Sequence, residues 1–278
     1  MSELTAWEGV AGGWERQRGL VWDVSHEVGE RLVDALDPQP GDTVLELACG
    51  PGDTGFAAAA RLGDSGKLLS TDFAEGMVAA ARRRSAELGL TNVEHRLVDA
   101  QKIDLPDASV DGVLCRWGYM LMPDPAQALA ETWRVLRPGG RLAFSVWAEA
   151  GDNPWAAAIG KVAIDLGFAE PPEPDSPGPF RLGDPARVRA LVEDAGFASP
   201  RIEDVPLTWR YASFEEYWDT SRDLSFSLGT TLLTLGPSDI ARLDAAAREA
   251  LRPYAHEGGA LVFPGLTRNV SARKPGDA

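Results

Sequence analysis

The sequence predicts an α/β fold in which a parallel sheet is covered by helices on both faces. Three observations lead there. From Thr43 to Trp147, apolar runs of strand length alternate with amphipathic runs of helix length, the rhythm of repeated strand-helix crossovers. The first apolar run, Val44-Leu45-Glu46-Leu47-Ala48, passes into the loop Cys49-Gly50-Pro51-Gly52-Asp53-Thr54-Gly55 and then into an alanine-rich stretch. Missing Cβ atoms at G-x-G-x-x-G spacing let backbone approach a ligand and let strand and helix pack closely. At 278 residues the chain supports one sizeable core with a small cap and is short for two large domains.

Taken in order, Trp7 to Leu36 places Trp7, Val10, Trp14, Val21, Val28, Leu32 and Leu36 at helical intervals, closed by Pro38-Gln39-Pro40-Gly41. Gly12-Gly13 is expected to divide this run into a loose piece and a firm helix. Strands are expected over Thr43 to Ala48, Lys67 to Thr71, Val93 to Val98, Val110 to Cys115 and Arg141 to Trp147. Helices are expected over Thr54 to Arg61, Ala74 to Leu88 and Pro125 to Leu136, with a turn at Pro138-Gly139-Gly140. Right-handed crossovers then put a ligand at the carboxyl ends of the strands.

Beyond Trp147 the rhythm loosens. Asn153 to Phe168 reads as an extra helix, and the proline-rich stretch from Glu170 to Pro179 as a surface loop. Asp184 caps a helix begun by Pro185 and ended at Gly196. Arg201 to Tyr211 reads as a strand, Phe214 to Ser227 and Pro237 to Arg252 as helices, and Ala260 to Ala272 as a last strand around Pro264-Gly265. The expected organisation is one domain over 1–278. It comprises an N-terminal helical lid (1–37), a cofactor-binding core (41–150), cap insertions with a core helix and strand (151–255), and a final strand and tail (256–278).

With 27 basic against 42 acidic residues the formal net charge is −15. Such a field repels phosphate backbones and anionic lipid surfaces, so neither nucleic acid nor membrane is an expected partner. Arg82-Arg83-Arg84 lies in a charge-rich helical stretch and reads as a solvated face. The two cysteines, Cys49 and Cys115, have no CxxC neighbour and supply neither a disulfide framework nor a structural metal site. No basic-then-apolar leader opens the chain, and no run approaches about 18 apolar residues. A soluble, cytoplasmic protein without a metal is expected, as monomer or homodimer.

The glycine loop alone admits a dinucleotide, a nucleoside cofactor without a diphosphate, or a tight turn. Asp72, ending the second strand, suits the hydroxyls of a ribose, and could equally cap the helix that follows. Asp99, after the third strand, suits an adenine amino group, or serves as a turn acid. Glu46 is a carboxylate inside a strand, costly unless hydrogen-bonded, and suits a loop oriented around a cofactor that carries positive charge.

Glu46-Leu47-Ala48-Cys49-Gly50-Pro51-Gly52, Asp72, Val98-Asp99-Ala100, Asp111-Gly112-Val113-Leu114 and Leu136-Arg137-Pro138-Gly139-Gly140 together resemble the successive motifs of class I S-adenosylmethionine-dependent methyltransferases. The group most similar is that of the ubiquinone and menaquinone biosynthesis methyltransferases. The resemblance implies a Rossmann-like, doubly wound sheet of seven strands, mostly parallel with one antiparallel edge strand supplied by Ala260 to Ala272, plus a helical cap. It implies S-adenosyl-L-methionine as cofactor and S-adenosyl-L-homocysteine as product. By matched position, Glu46, Ala48, Gly50 and Gly52 would border the methionine part, and Asp72 would hold the ribose. Phe73, Met77, Asp99 and Ala100 would surround adenine. Arg116 would offer backbone to the methionine end, or its side chain instead makes a salt bridge on the surface. Glu46 stands where Asp is common and Ala48 where Gly is common, which loosens the substrate assignment more than the cofactor.

Two other readings remain. A nicotinamide-dependent dehydrogenase shares the loop and an acid 20 residues beyond Gly52, at Asp72. It seldom has a strand acid like Glu46, and no hydride-handling His with a paired Arg is evident. A methyltransferase-like protein could instead bind the cofactor without turnover.

A sulfonium makes its methyl electrophilic, so holding the acceptor nearby does most of the work, and a base matters only for a protonated acceptor. His26 and Tyr119 are the candidates for that base; His95 and His256 fall away from the ligand edge. Trp14, Trp117, Tyr119, Trp147 and Trp155 form either a dry, aromatic acceptor pocket or the core of the cap. Trp7 to Gly29 and Asn153 to Arg252 are expected to form a lid around a small, apolar or aromatic acceptor.

Overall fold

Sixteen helices and strands alternate through residues 3–276, the part of the chain that the computed structural model describes. They begin with α1 (Glu3–Leu36), β1 (Thr43–Glu46), α2 (Thr54–Leu62), β2 (Lys67–Asp72), α3 (Glu75–Glu87), β3 (Val93–Leu97), β4 (Val110–Arg116), α4 (Pro125–Val135) and β5 (Leu136–Trp147). The cap and the sheet end follow as α5 (Pro154–Asp165), α6 (Pro185–Asp194), β6 (Ala198–Tyr211), α7 (Phe214–Leu224), α8 (Phe226–Thr234), α9 (Pro237–Ala250) and β7 (Leu261–Arg273).

One seven-stranded sheet runs in the order β3-β2-β1-β4-β5-β7-β6. The first five strands pair in parallel, and Val44, Leu45, Val113, Leu114, Leu142 and Ala143 on the central ones are buried. Burial on both faces is what a sheet covered by crossover helices requires. The antiparallel strand of the sequence reading is β7, and it slots between β5 and β6. The rim at that end is β6. The reason is connectivity: α7, α8 and α9 leave the end of β6 and return the chain to the same end, so β7 must run backwards along β6 before it can meet β5.

α1 is one unbroken helix of 34 residues, which corrects the expected break at Gly12-Gly13. Tertiary contact overrides the weak helix propensity of glycine here. A Cβ on Gly13 would lie 2.2 Å from the backbone oxygen of Asp223 at the end of α7, whereas one on Gly12 meets only the tip of Arg16 at 3.5 Å. Gly13 is therefore where α7 touches α1. The second half of α1 lies on the sheet, with Val28, Leu32, Val33 and Leu36 buried and the Val28 carbonyl accepting from Asn269 Nδ2 on β7.

Several helix starts follow a capping side chain. Asp124 and Asp184 accept from Gln127 N and Ala186 N, each followed by proline in the first turn. The stretch expected as one helix from Phe214 to Ser227 is two, because Ser225 stops α7 and accepts from Leu228 N to start α8. Among the described residues, no helix is long and apolar enough to cross a membrane.

The Gly13 contact sets up a paired prediction. Gly13→Ala is expected to destabilise the protein by about 1–3 kcal/mol through overpacking. Gly12→Ala is expected to be neutral or to stabilise by up to about 1 kcal/mol. Urea midpoints of the two variants check this, and equal midpoints would remove the α1–α7 contact as the reason for the glycine.

Candidate functional site

At the end of β1 the chain enters the glycine loop through an unusual run of left-handed residues. Ala48, Gly50, Gly52 and Asp53 have φ of 51°, 54°, 96° and 86°, a region that costs non-glycine residues energy and persists only where neighbours enforce it. Glu46 is one enforcer. Its buried carboxylate accepts from Gly55 N at 2.7 Å and from Ser70 Oγ on β2 at 3.0 Å. Burial raises its pKa to about 7 against those two bonds and the field of Arg116. One oxygen thus holds the end of the loop and the other holds β2, so Glu46 ties the loop to the sheet beneath it. Gly50 faces free space, since a Cβ there would meet nothing within 4 Å, while one on Gly52 would strike Phe56 at 2.2 Å.

On the other side of the loop, Asp72 ends β2. It accepts from Gly50 N and from Ala74 N, each at 3.0 Å, so it holds the loop and caps the approach to α3 together. Burial raises its pKa to about 6, opposed by the N–H groups of Ala74, Gly50 and Phe73 and reinforced by Glu8. Phe73 is half-buried. Met77 is buried with Ala11 and Ala74 in a small cluster closed by Trp7 and Trp14. Ala100 is buried and Asp99 exposed, Asp99 accepting from Gln101 N at 2.8 Å in a turn beyond β3. Asp99, Asp72, the loop and Arg116 therefore stand at the ends of four neighbouring strands, β3, β2, β1 and β4.

Among the described residues Arg116 makes no salt bridge, which corrects that option. It turns beneath α1, donating from Nε to Thr54 Oγ1 at 2.8 Å and from Nη1 to Ser25 Oγ at 3.2 Å, and covers the Trp117 ring at 4.5 Å. Trp117, with φ of 58°, stacks on Trp147 at 4.0 Å and donates to Thr267 Oγ1. Trp147 contacts Trp155 edge-on at 5.0 Å, and Trp155 stacks on Trp209 at 4.1 Å. These rings fill one another's contacts as a continuous column, the cap-core alternative of the sequence reading. Trp14 stands apart on α1 beside Trp7, 6.5 Å away, with a buried Nε1 that lacks a partner.

The two candidate bases have different surroundings. Tyr119 is buried and shares a 2.6 Å hydrogen bond with Thr132 Oγ1 on α4, and burial holds its phenol protonated far above the ordinary pKa. His26 is exposed on the outer face of α1 and bonds through Nδ1 with the Asp23 carbonyl. Trp22, one turn earlier, is half-buried, with its ring 6.2 Å from that of His26.

Sequence reasoning missed the polar fastening of α1. Glu8 accepts from Glu75 N and Gly76 N at the start of α3. Arg18 pairs with Asp53 at 3.2 Å, and Arg84 approaches the same carboxylate at 3.6 Å. Arg83 pairs with Glu15, and Arg16 with Gln17 binds Asp223 on α7. The Arg82-Arg83-Arg84 run is thus partly a docking face for α1 and the loop, which corrects its reading as a solvated surface. Charged residues at ordinary helical spacing give no local sign of such long-range pairing.

Comparison with known proteins bears on these strand ends. Residues 44–140 match the family model described as a methyltransferase domain. An aklanonic acid methyltransferase of Streptomyces sp. (strain C5) is 37% identical over 118 residues, covering 42% of this chain and 54% of that protein. A demethylmenaquinone methyltransferase of Symbiobacterium thermophilum is 36% identical over 104 residues, covering 37% of this chain and 41% of that protein. The chain thus spans about half, or less, of the length of these curated relatives. Among solved structures, the YcgJ protein of Bacillus subtilis superposes with a TM-score of 0.61 at 17% identity, covering 91% of this chain and all of that one, a likeness of fold.

The two raised acids predict a pH dependence. With native pKa values near 7 for Glu46 and 6 for Asp72, against ordinary values of 4.5 and 3.8, the native state holds more protons than the unfolded chain across that window. Their contribution is fully present below the ordinary values and is lost as pH rises through about 6 and 7. Glu46→Gln is expected to flatten the fall in stability between about pH 5 and pH 8. Urea midpoints across this range measure it; an equally steep variant profile would assign Glu46 an ordinary pKa.

Proposed function

We propose that the chain, whose residues 44–140 match a methyltransferase domain, is a class I S-adenosylmethionine-dependent methyltransferase that methylates a small, apolar or aromatic acceptor. The observation that carries the reading is the loop itself. Gly50 leaves open space above it, and the acid at the end of the neighbouring strand, Asp72, is ready to accept from a ribose diol. The same observation disfavours a dinucleotide. The N–H groups of Gly50 and Gly55, which a diphosphate would need, already donate to Asp72 and Glu46, and two buried acids there would repel it.

In this reading Gly50 and Gly52 pass under the methionine part beside Ala48, with Glu46 holding the loop in shape. Asp72 accepts from the ribose, while Phe73, Met77, Asp99 and Ala100 bound the adenine. When bound, the cofactor supplies a methyl group made electrophilic by its sulfonium. The chain's own residues orient the partners and exclude water, with proximity lowering the barrier. No base is assigned: the Tyr119 hydroxyl bonds with Thr132 Oγ1 and His26 Nδ1 with the Asp23 carbonyl. The first half of α1, fastened by Glu8, Glu15 and Arg18, is the lid. Trp14 of α1, half-buried and outside the aromatic column, supports an apolar acceptor. The two relatives are named for different acceptors, aklanonic acid and demethylmenaquinone, so membership alone does not select one.

Calorimetric titration with S-adenosylhomocysteine tests the site. Asp72→Ala is expected to weaken binding by about 10- to 100-fold, the loss of a charge-assisted pair, while reduced nicotinamide dinucleotide does not bind. An unchanged affinity would remove Asp72 from the site. Release of S-adenosylhomocysteine across an acceptor library establishes turnover; tight binding with no release from any acceptor would favour a binding protein. Proteolysis within residues 3–18 is expected to slow when S-adenosylhomocysteine is present, and equal rates would count against the lid.

A further inference from the structure

The first half of α1 carries three glycines that its packing does not require. Gly9, Gly12 and Gly19 are all exposed. A Cβ on Gly9 or Gly19 would meet nothing within 4 Å, and one on Gly12 only the tip of Arg16 at 3.5 Å. Each such glycine raises the tendency of a helix to open about fivefold over alanine. The second half is built differently. Its glycine, Gly29, packs on Thr54, where a Cβ would sit 3.3 Å from Oγ1, and Val28, Leu32, Val33 and Leu36 belong to the main core. The apolar contacts divide at the same place. Ala11 is buried with Ala74 and Met77 in a small cluster separate from that core, closed by Trp7 and Trp14. The remaining hold on the first half is polar: Glu8 on the first N–H groups of α3, Glu15 on Arg83, Arg16 on Asp223 and Arg18 on Asp53. Weak helix propensity, a separate apolar cluster and polar fastenings mark a segment that opens independently of the rest.

What the segment covers gives its opening a use. Arg18 reaches Asp53 in the glycine loop, and Glu8 reaches Glu75 N and Gly76 N just past Asp72, so the first half of α1 is fastened to both sides of the strand-end site. We propose that residues 3–19 are a gate that works by local unfolding: the segment melts as a unit to admit the ligand, refolds over it, and sets the rate of both entry and exit through its three unpacked glycines. The gate rests on the cofactor reading above and gives the lid its mode of opening. A rigid swing about one hinge would use only Gly19, at the border between the polar fastenings and the core. Gly9 and Gly12 lie inside the moving piece, and they ease the motion only if the helix itself comes apart.

Stopped-flow binding of S-adenosylhomocysteine to the full chain tests the gate. Alanine at all three positions stabilises the closed segment equally with and without ligand and leaves the open form unchanged. Gly9→Ala, Gly12→Ala and Gly19→Ala combined are therefore expected to slow association and dissociation together by about tenfold or more, with Kd within about threefold of wild type. Gly9→Ala alone is expected to slow both rates by about threefold or more. Wild-type rates in the triple variant would overturn the gate. Wild-type rates in Gly9→Ala with slow ones in Gly19→Ala would overturn unfolding in favour of a hinge. A tighter Kd with unchanged association would mean that the free segment already stands open, which also overturns it. Hydrogen exchange gives a second readout: in the triple variant protection is expected to rise across residues 3–19 as a block, and protection that rises only beside each alanine would refute opening as a unit. Wild-type protein that does not bind S-adenosylhomocysteine removes the cofactor reading and the gate with it, whereas binding at rates insensitive to the alanines removes the gate alone.

Discussion

A carboxylate buried at the end of a central strand ties the sheet to the loop above it. Glu46 accepts from Gly55 N and from Ser70 Oγ, so one side chain joins β1, β2 and the first turn of α2. The join leaves no room for a side chain at Gly55, where a Cβ would sit 2.2 Å from Glu46 Oε2. With α2 pinned this closely, the intervening residues must turn sharply. The positive φ of Ala48 and Asp53 is a consequence, strain of about 1–3 kcal/mol at each position that the surroundings must hold. Glu46 holds the loop from below, and Arg18 and Arg84 hold Asp53 from the side. What remains free is the space above Gly50.

The rest of the site depends on α1, and its two halves are held by different physics. From Val28 to Leu36 it is core, with apolar side chains fully enclosed against the sheet. From Glu8 to Arg18 it is fastened mainly by charged contacts, to α3, to the loop and to α7. Exposed ion pairs contribute little each, so the first half opens at a lower cost than the second. That gradient suits a helix whose inner half builds the molecule and whose outer half covers Met77 and the approach to Asp72.

The aromatic residues show where a pattern in sequence stops being informative. Trp117, Trp147 and Trp155 were legible as residues near the ligand edge, because each closes or follows a strand or opens the cap. Whether they line a chamber or fill one another's contacts depends on packing between β4, β5, β6 and α5, which brings Trp209 from a distant strand into the stack. The surroundings of Tyr119 and His26 were out of reach of the sequence for a similar reason. A side chain's neighbourhood is set by what packs against its element, and Thr132 on α4 claims the Tyr119 hydroxyl.

Residue order alone determined the alternating elements, the glycine loop, the acids that end β2 and follow β3, and the capped helix starts. Each of these rests on local physics: side-chain period, φ freedom, or a capping side chain within a few residues. Tertiary structure decided the place of β7 between β5 and β6, the continuity of α1 through Gly12 and Gly13, the bond from Ser70 on β2 to Glu46, and the seating of Arg116 between Ser25 and Thr54. These rest on contacts between residues tens to hundreds of positions apart, as with Gly13 and Asp223. No short window of sequence contains both partners of such a contact, so only the folded chain could specify them.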